Sequence, residues 1–124
     1  MAFAFEAVDP KVSFETQLQQ EDSGTVVLIN TLVVPEGQMD KTLESWALDA
    51  AYMKSCDGCI STQLHRGTAG SNTLVNIAIW ESTSSLLAAF MSAEFQEKAG
   101  AYPDGLLARP FIAEKVAVQG ICVA

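Results

Sequence analysis

Asn76 and Trp80 are the residues of this 124-residue chain whose types and spacing most readily do chemistry. They lie in the run Thr73-Leu74-Val75-Asn76-Ile77-Ala78-Ile79-Trp80-Glu81-Ser82, which alternates faces as a β-strand does. Asn76 and Trp80 share one face with Leu74 and Ala78, about 13 Å apart at roughly 3.3 Å per residue. Ala78 leaves space between them. An amide and an indole N–H flanking such a gap are hydrogen-bond donors on a flat apolar surface, which looks like the wall of a pocket. The opposite face, Val75, Ile77 and Ile79, reads as core. An Asn inside so apolar a strand costs about 1–3 kcal/mol unless its amide finds partners. The plainer reading is that the amide satisfies local backbone and the indole fills core.

A strand apolar on both faces must be covered on both. Thr25 to Val34 is a second such strand, and its even face (Val26, Leu28, Asn30, Leu32, Val34) carries another amide, Asn30. Pro35-Glu36-Gly37 breaks it. From Gln38 to Ser55 the period turns helical, with Met39, Leu43, Trp46, Ala50 and Met53 in one stripe. Trp46 and Tyr52 on this helix are candidates to line a pocket against the sheet. Asp57-Gly58 turns the chain into Cys59 to Arg66, where Ile60, Thr62 and Leu64 face one way and Ser61, Gln63 and His65 the other, marking an edge strand. Gly67 to Asn72 is a hairpin loop leading back to the Asn76 strand. Ser82 or Thr83 caps a second helix, and Ser92-Ala-Glu-Phe restarts it after a kink near Met91 to Ala93. Tyr102-Pro103-Asp104-Gly105 is a turn, and Pro110 leads into a last strand, Phe111 to Val118.

The order strand–helix–strand–strand–helix–strand predicts an α+β, ferredoxin-like βαββαβ fold with a four-stranded antiparallel sheet, the first and third strands central. Right-handed crossovers place both helices on one face. The other apolar face then lacks a cover, which predicts a homodimer with two sheets packed face to face. Residues 1–24 read as a loosely ordered N-terminal arm, or as one whose Phe3, Phe5 and Phe14 dock on a partner subunit, and 25–124 as the domain proper.

Totals narrow the function classes. Hydrophobic content of 49% suits a real core, and a net charge of −8 argues against nucleic-acid or anionic-membrane partners. No apolar run reaches membrane-spanning length and no basic leader opens the chain, so a soluble cytoplasmic protein is expected. One histidine, His65, excludes a His-rich metal site within one chain, and three cysteines make no disulfide framework. His65 is the side chain whose usual pKa suits base work, or it is simply solvated. Cys56-Asp57-Gly58-Cys59 follows a helix end, the wrong pole to activate a thiol, and reads as two structural thiols.

Several segments together resemble the antibiotic biosynthesis monooxygenase family of dimeric α+β barrels. They are Val27-Leu28-Ile29-Asn30-Thr31, Gly58-Cys59-Ile60-Ser61 into Leu64-His65-Arg66, Asn76-Ile77-Ala78-Ile79-Trp80-Glu81-Ser82, Ala93-Glu94-Phe95 and Tyr102-Pro103. The resemblance implies cofactor-free oxidation of an aromatic polyketide-like anthrone or hydroquinone by O2. It also implies Asn76 and Trp80, matching the anthrone oxygenases, and Asn30, matching haem-degrading relatives, as catalytic residues. Trp46, Tyr52 and His65 are the candidate substrate contacts, and no cofactor or metal is implied. The second-helix His of haem-degrading relatives is absent between Ser82 and Ala101, and the early second-helix Tyr of anthrone oxygenases is replaced within Ser84-Ser85-Leu86-Leu87. A cyclase or isomerase, a non-catalytic binding protein and a purely structural dimer are the alternatives on the same scaffold.

Overall fold

The two strands that are apolar on both faces lie side by side at the centre of the sheet. A computed structural model describes residues 3–124, the side chain of Phe3 excepted. In chain order the elements are β1 (Phe3–Phe5), α1 (Phe14–Leu18), β2 (Val26–Val33), α2 (Met39–Ser55), β3 (Cys59–Arg66), β4 (Thr73–Trp80), α3 (Thr83–Met91), α4 (Ala93–Ala99) and β5 (Leu106–Ala113). The sheet order is β1-β5-β2-β4-β3. β2 pairs antiparallel with β4, setting Val26 opposite Trp80 and Asn30 opposite Asn76. Without β1, the order is that of the ferredoxin-like split βαβ unit.

The sheet has five strands, not four, because the N-terminal arm joins it. β1 runs parallel to β5 along the edge expected to be open. α1 follows, capped by Ser13, whose hydroxyl accepts from Thr16 N–H. Phe14 and Leu18 are buried in the same cluster as Trp80 and Leu86. The arm thus docks on its own chain. A three-residue strand and a five-residue helix are too short to show a hydrophobic period, which is why the stretch reads as loose. The part of the docking expectation that rests on the Phe3 side chain lies outside the described residues.

The last strand is Leu106–Ala113 rather than Phe111 to Val118. Pro110 sits within it, opposite Asn30. Ala108 turns its carbonyl outward, where it accepts from Glu6 N–H at 2.9 Å. Two residues on, the Pro110 nitrogen points the same way and has no hydrogen to leave unpaired. Two further on, the buried Gln17 amide takes both backbone groups of Ile112, donating to its carbonyl at 2.8 Å and accepting from its N–H at 2.9 Å. Strand, proline and glutamine in turn close one sheet edge.

β3 is the other edge, with a β-bulge between Cys59 and Ser61. The extra residue, Ile60, is 54% exposed. It does not share a face with Thr62 and Leu64, as strict alternation predicts; Cys59 takes that place.

The helices lie on one face, with α1, α2 and α3 packed on Val26, Leu32, Leu74, Ala78, Trp80 and Ala108 and α4 set against α2 and α3. The Val75-Ile77-Ile79 face is not the protomer's core. It lies on the far side, where no odd-numbered residue of β2 or β4 joins a core cluster and Ile77 is 38% exposed. Among the described residues no helix is long and apolar enough to cross a membrane.

Candidate active site

Between the even face of the sheet and the helices is a cavity with about 80 Å³ of room for the centres of water-sized molecules. Its floor is the register row Pro110, Asn30, Asn76, followed along β4 by Ala78 and Trp80. Alternation puts Asn76, Ala78 and Trp80 on this face together, and Ala78 leaves the gap that a larger side chain would fill.

The Thr62 hydroxyl on β3 donates to Asn76 Oδ1 at 2.7 Å. With its oxygen occupied, the Asn76 amide is oriented with Nδ2 as the free donor group. Asn30 Oδ1 and Trp80 Nε1 are buried and have no hydrogen-bond partner among the described residues. Trp80 is 1% exposed and packs with Val26, Leu86 and Phe14. Leaving such groups unpaired costs about 1–3 kcal/mol each. Trp80 thus fills core, as the plainer reading of the sequence has it, but with its N–H unpaired, and the Asn30 oxygen does not satisfy local backbone.

α2 supplies the roof through Trp46, Asp49, Ala50 and Met53, the i, i+3, i+4, i+7 face of the helix. Asp49 Oδ2 accepts from the Tyr102 hydroxyl at 2.6 Å, while Oδ1 is buried and without a partner among the described residues. Burial pushes the Asp49 carboxyl above the ordinary carboxylate range; the Tyr102 hydrogen bond and then the Lys98 charge pull it back. Burial, and after it the Asp49 charge, pushes the Tyr102 phenol well above its usual value, so it stays protonated and donating.

One end of the cavity is closed by aromatic rings. Phe90 of α3 meets Phe14 edge-on at 5.4 Å, Phe5 at 6.1 Å and Phe95 of α4 at 5.1 Å between ring centres. α3 and α4 are separated at Ser92, whose hydroxyl accepts from Phe95 N–H as the cap of α4. This is the expected kink, and it brings Phe90 and Phe95 together.

Of the residues singled out from the sequence, Asn30, Asn76, Trp80 and Trp46 line the cavity. Tyr52 and His65 do not. The Tyr52 hydroxyl donates to Ser92 Oγ at 2.8 Å and Lys98 sits over its ring at 5.7 Å, so it ties α2 to the α3–α4 kink. His65 is exposed on the opposite face of edge strand β3, its Nδ1 3.3 Å from the Val75 carbonyl oxygen. Cys59 lines the cavity, but burial and then Cys56 push its thiol up, away from a reactive thiolate.

Asp49, Tyr102, Thr62, Phe5 and Phe14 were not singled out as site residues. For Asp49 a signal exists. It falls three residues after Trp46 and beside Ala50, so a carboxylate stands inside an apolar helical stripe.

A ferredoxin-like sheet roofed by helices over an apolar, amide-lined cavity defines an α+β domain with an internal pocket. The chain belongs to the antibiotic biosynthesis monooxygenase family, whose sequence model matches residues 25–99. No curated protein matches the sequence. SnoaB, a cofactor-independent oxygenase from Streptomyces nogalater, has a similar fold: TM-score 0.71 at 20% identity, over 79% of this chain and 99% of that one. A monooxygenase candidate from Shewanella loihica PV-4 is similar at TM-score 0.67 and 27% identity, over 80% of this chain and all of that one.

Proposed function

We propose that the protein is a cofactor-independent monooxygenase that oxidises an anthrone- or hydroquinone-like aromatic with O2, working as a homodimer. The observation that carries this reading is the Asn76 amide, held by Thr62 with its N–H group free, on the same apolar wall as the unpartnered Trp80 N–H four residues along β4. Family membership and the fold shared with SnoaB support it.

The protein's task in such a reaction is to orient and to stabilise charge. An acidic anthrone loses a proton to become an enolate, which passes an electron to O2. The substrate radical and superoxide combine, and the resulting peroxide loses water. A CH2 group and O2 become C=O and H2O. The Asn76 and Trp80 donors hold oxygens of the substrate, the oxyanion among them, and the Phe90 cluster keeps water out. The half-covered face bearing Ile29, Val75, Ile77 and Ile79 fits the corresponding face of a second copy. The exposed tail residues Val116, Val118, Ile121 and Val123 add apolar surface for such contact.

The test is oxygen uptake by metal-stripped protein with a panel of anthrones and hydroquinones, and no flavin, haem or nicotinamide. Protein-dependent uptake that disappears in Asn76→Leu is expected. No uptake, with the same aromatics bound, would overturn the reading in favour of a cyclase, an isomerase or a binding protein.

A further inference from the structure

We propose that Asp49 is the proton acceptor of this cavity, drawing a proton from an enolisable aromatic whose oxygens rest against the Trp80 and Asn76 N–H groups. This deepens the oxygenase reading and rests on it for the ligand class.

Three buried polar atoms with no partner among the described residues belong to side chains lining this single cavity: Asn30 Oδ1, Asp49 Oδ1 and Trp80 Nε1. Apolar cavities do not need such atoms, and each is costly to leave unmatched. Two are acceptors and one is a donor, and the Asn76 amide adds N–H donors. A ligand that satisfies this set presents a hydrogen to Asp49 on the α2 roof and oxygen to the donors on the sheet floor, where Asn30 accepts a further hydrogen. Enolisable phenols and anthrones have that pattern. Of the two acceptors only the carboxylate can keep the proton.

Asp49 is built for the role by its neighbours. Tyr102, just before β5, fixes one carboxylate oxygen at 2.6 Å and leaves the other uncommitted. Lys98 on α4 is the cation that acts on it. The sheet opposite presents amides, an indole, the Thr62 hydroxyl, the Cys59 thiol, which burial pushes up, and apolar groups. Burial strengthens the carboxylate as a base, and Tyr102 keeps it ionisable. In the step itself a ligand C–H or O–H bond breaks, an Asp49 O–H bond forms, and the electron pair stays on the ligand as enolate or phenolate. Tyr102 is a positioning residue.

The experiment separates proton removal from oxygen chemistry. Full-length protein is mixed anaerobically with 1,8-dihydroxyanthrone in heavy water, and exchange of its CH2 hydrogens for deuterium is followed by proton NMR. Wild type is expected to accelerate exchange, and Asp49→Asn to slow it by about 100-fold or more with binding retained. Tyr102→Phe removes a hydrogen bond that favours the carboxylate, so the pH profile of exchange moves to higher pH. Equal exchange by Asp49→Asn and wild type, no acceleration by wild type, or an unmoved profile in Tyr102→Phe would overturn the assignment. Exchange that depends on Asp49, without oxygen uptake in air, would sink the oxygenase reading and keep Asp49. Oxygen uptake undiminished by Asp49→Asn would do the reverse.

Discussion

Asn30 and Asn76 face each other across β2 and β4, and only one of the two side-chain oxygens is held. Thr62 donates to Asn76 Oδ1, whereas Asn30 Oδ1 has no partner among the described residues. One amide is a fixed donor; the other waits for a hydrogen from outside the chain.

Thr62→Val is predicted to leave the fold intact and free the Asn76 amide to flip. One oriented hydrogen bond contributes about 0.5–1.5 kcal/mol, so turnover should fall by roughly tenfold or somewhat less. Steady-state oxygen uptake reads this directly. Unchanged turnover would mean that Thr62 does not set the amide.

Two substitutions at Trp80 should separate packing from donation. Trp80→Ala empties a site with 1% exposure and should cost about 3–5 kcal/mol of stability. Trp80→Phe should cost far less, because the lost volume is offset by removal of an unpaired N–H, yet it should still impair turnover. Urea unfolding of both variants decides; similar losses would argue that the indole nitrogen has no role.

The pH dependence of stability should expose Asp49. Its folded carboxyl lies above the reference value of 3.8, so the folded state binds that proton more tightly than the unfolded chain. Its stabilising contribution is therefore present below about pH 3.8 and is lost as pH rises through the raised folded value. Asp49→Asn should melt higher than wild type near neutral pH, with the gap closing in acid. A gap of the same size at both pH values would contradict the burial of this charge.

Gln17→Leu should destabilise the protein by about 1–3 kcal/mol for each buried backbone group it strands at Ile112. Amide exchange at Ile112 is the specific readout, and retained protection there would show that another group replaces Gln17.

The central pair of strands and the Asn76–Trp80 wall were legible because a two-residue period with one amide out of place is a strong local signal. The α2 stripe was legible for the same reason at helical period. Ile60 was misplaced because a bulge adds a residue without leaving a mark in composition. The β5 boundary was missed because a proline usually ends a strand; here its nitrogen faces the sheet's outer edge, and the next outward-facing backbone groups, at Ile112, are taken by Gln17 almost a hundred residues away. The Asp49–Tyr102 pair joins residues separated by 53 positions, and nothing short of the fold brings them together.

The aromatic end wall has a practical consequence. Phe5 and Phe14 precede the family-matched residues 25–99, yet they form part of the chamber. A version lacking only residues 1–24 would keep the Pro110–Asn30–Asn76 floor and lose its stopper, admitting bulk solvent to a space whose proposed chemistry depends on dryness. Swapping the first two dozen residues among relatives is therefore a way to retune which molecules fit, without touching a single residue of β2 to β5.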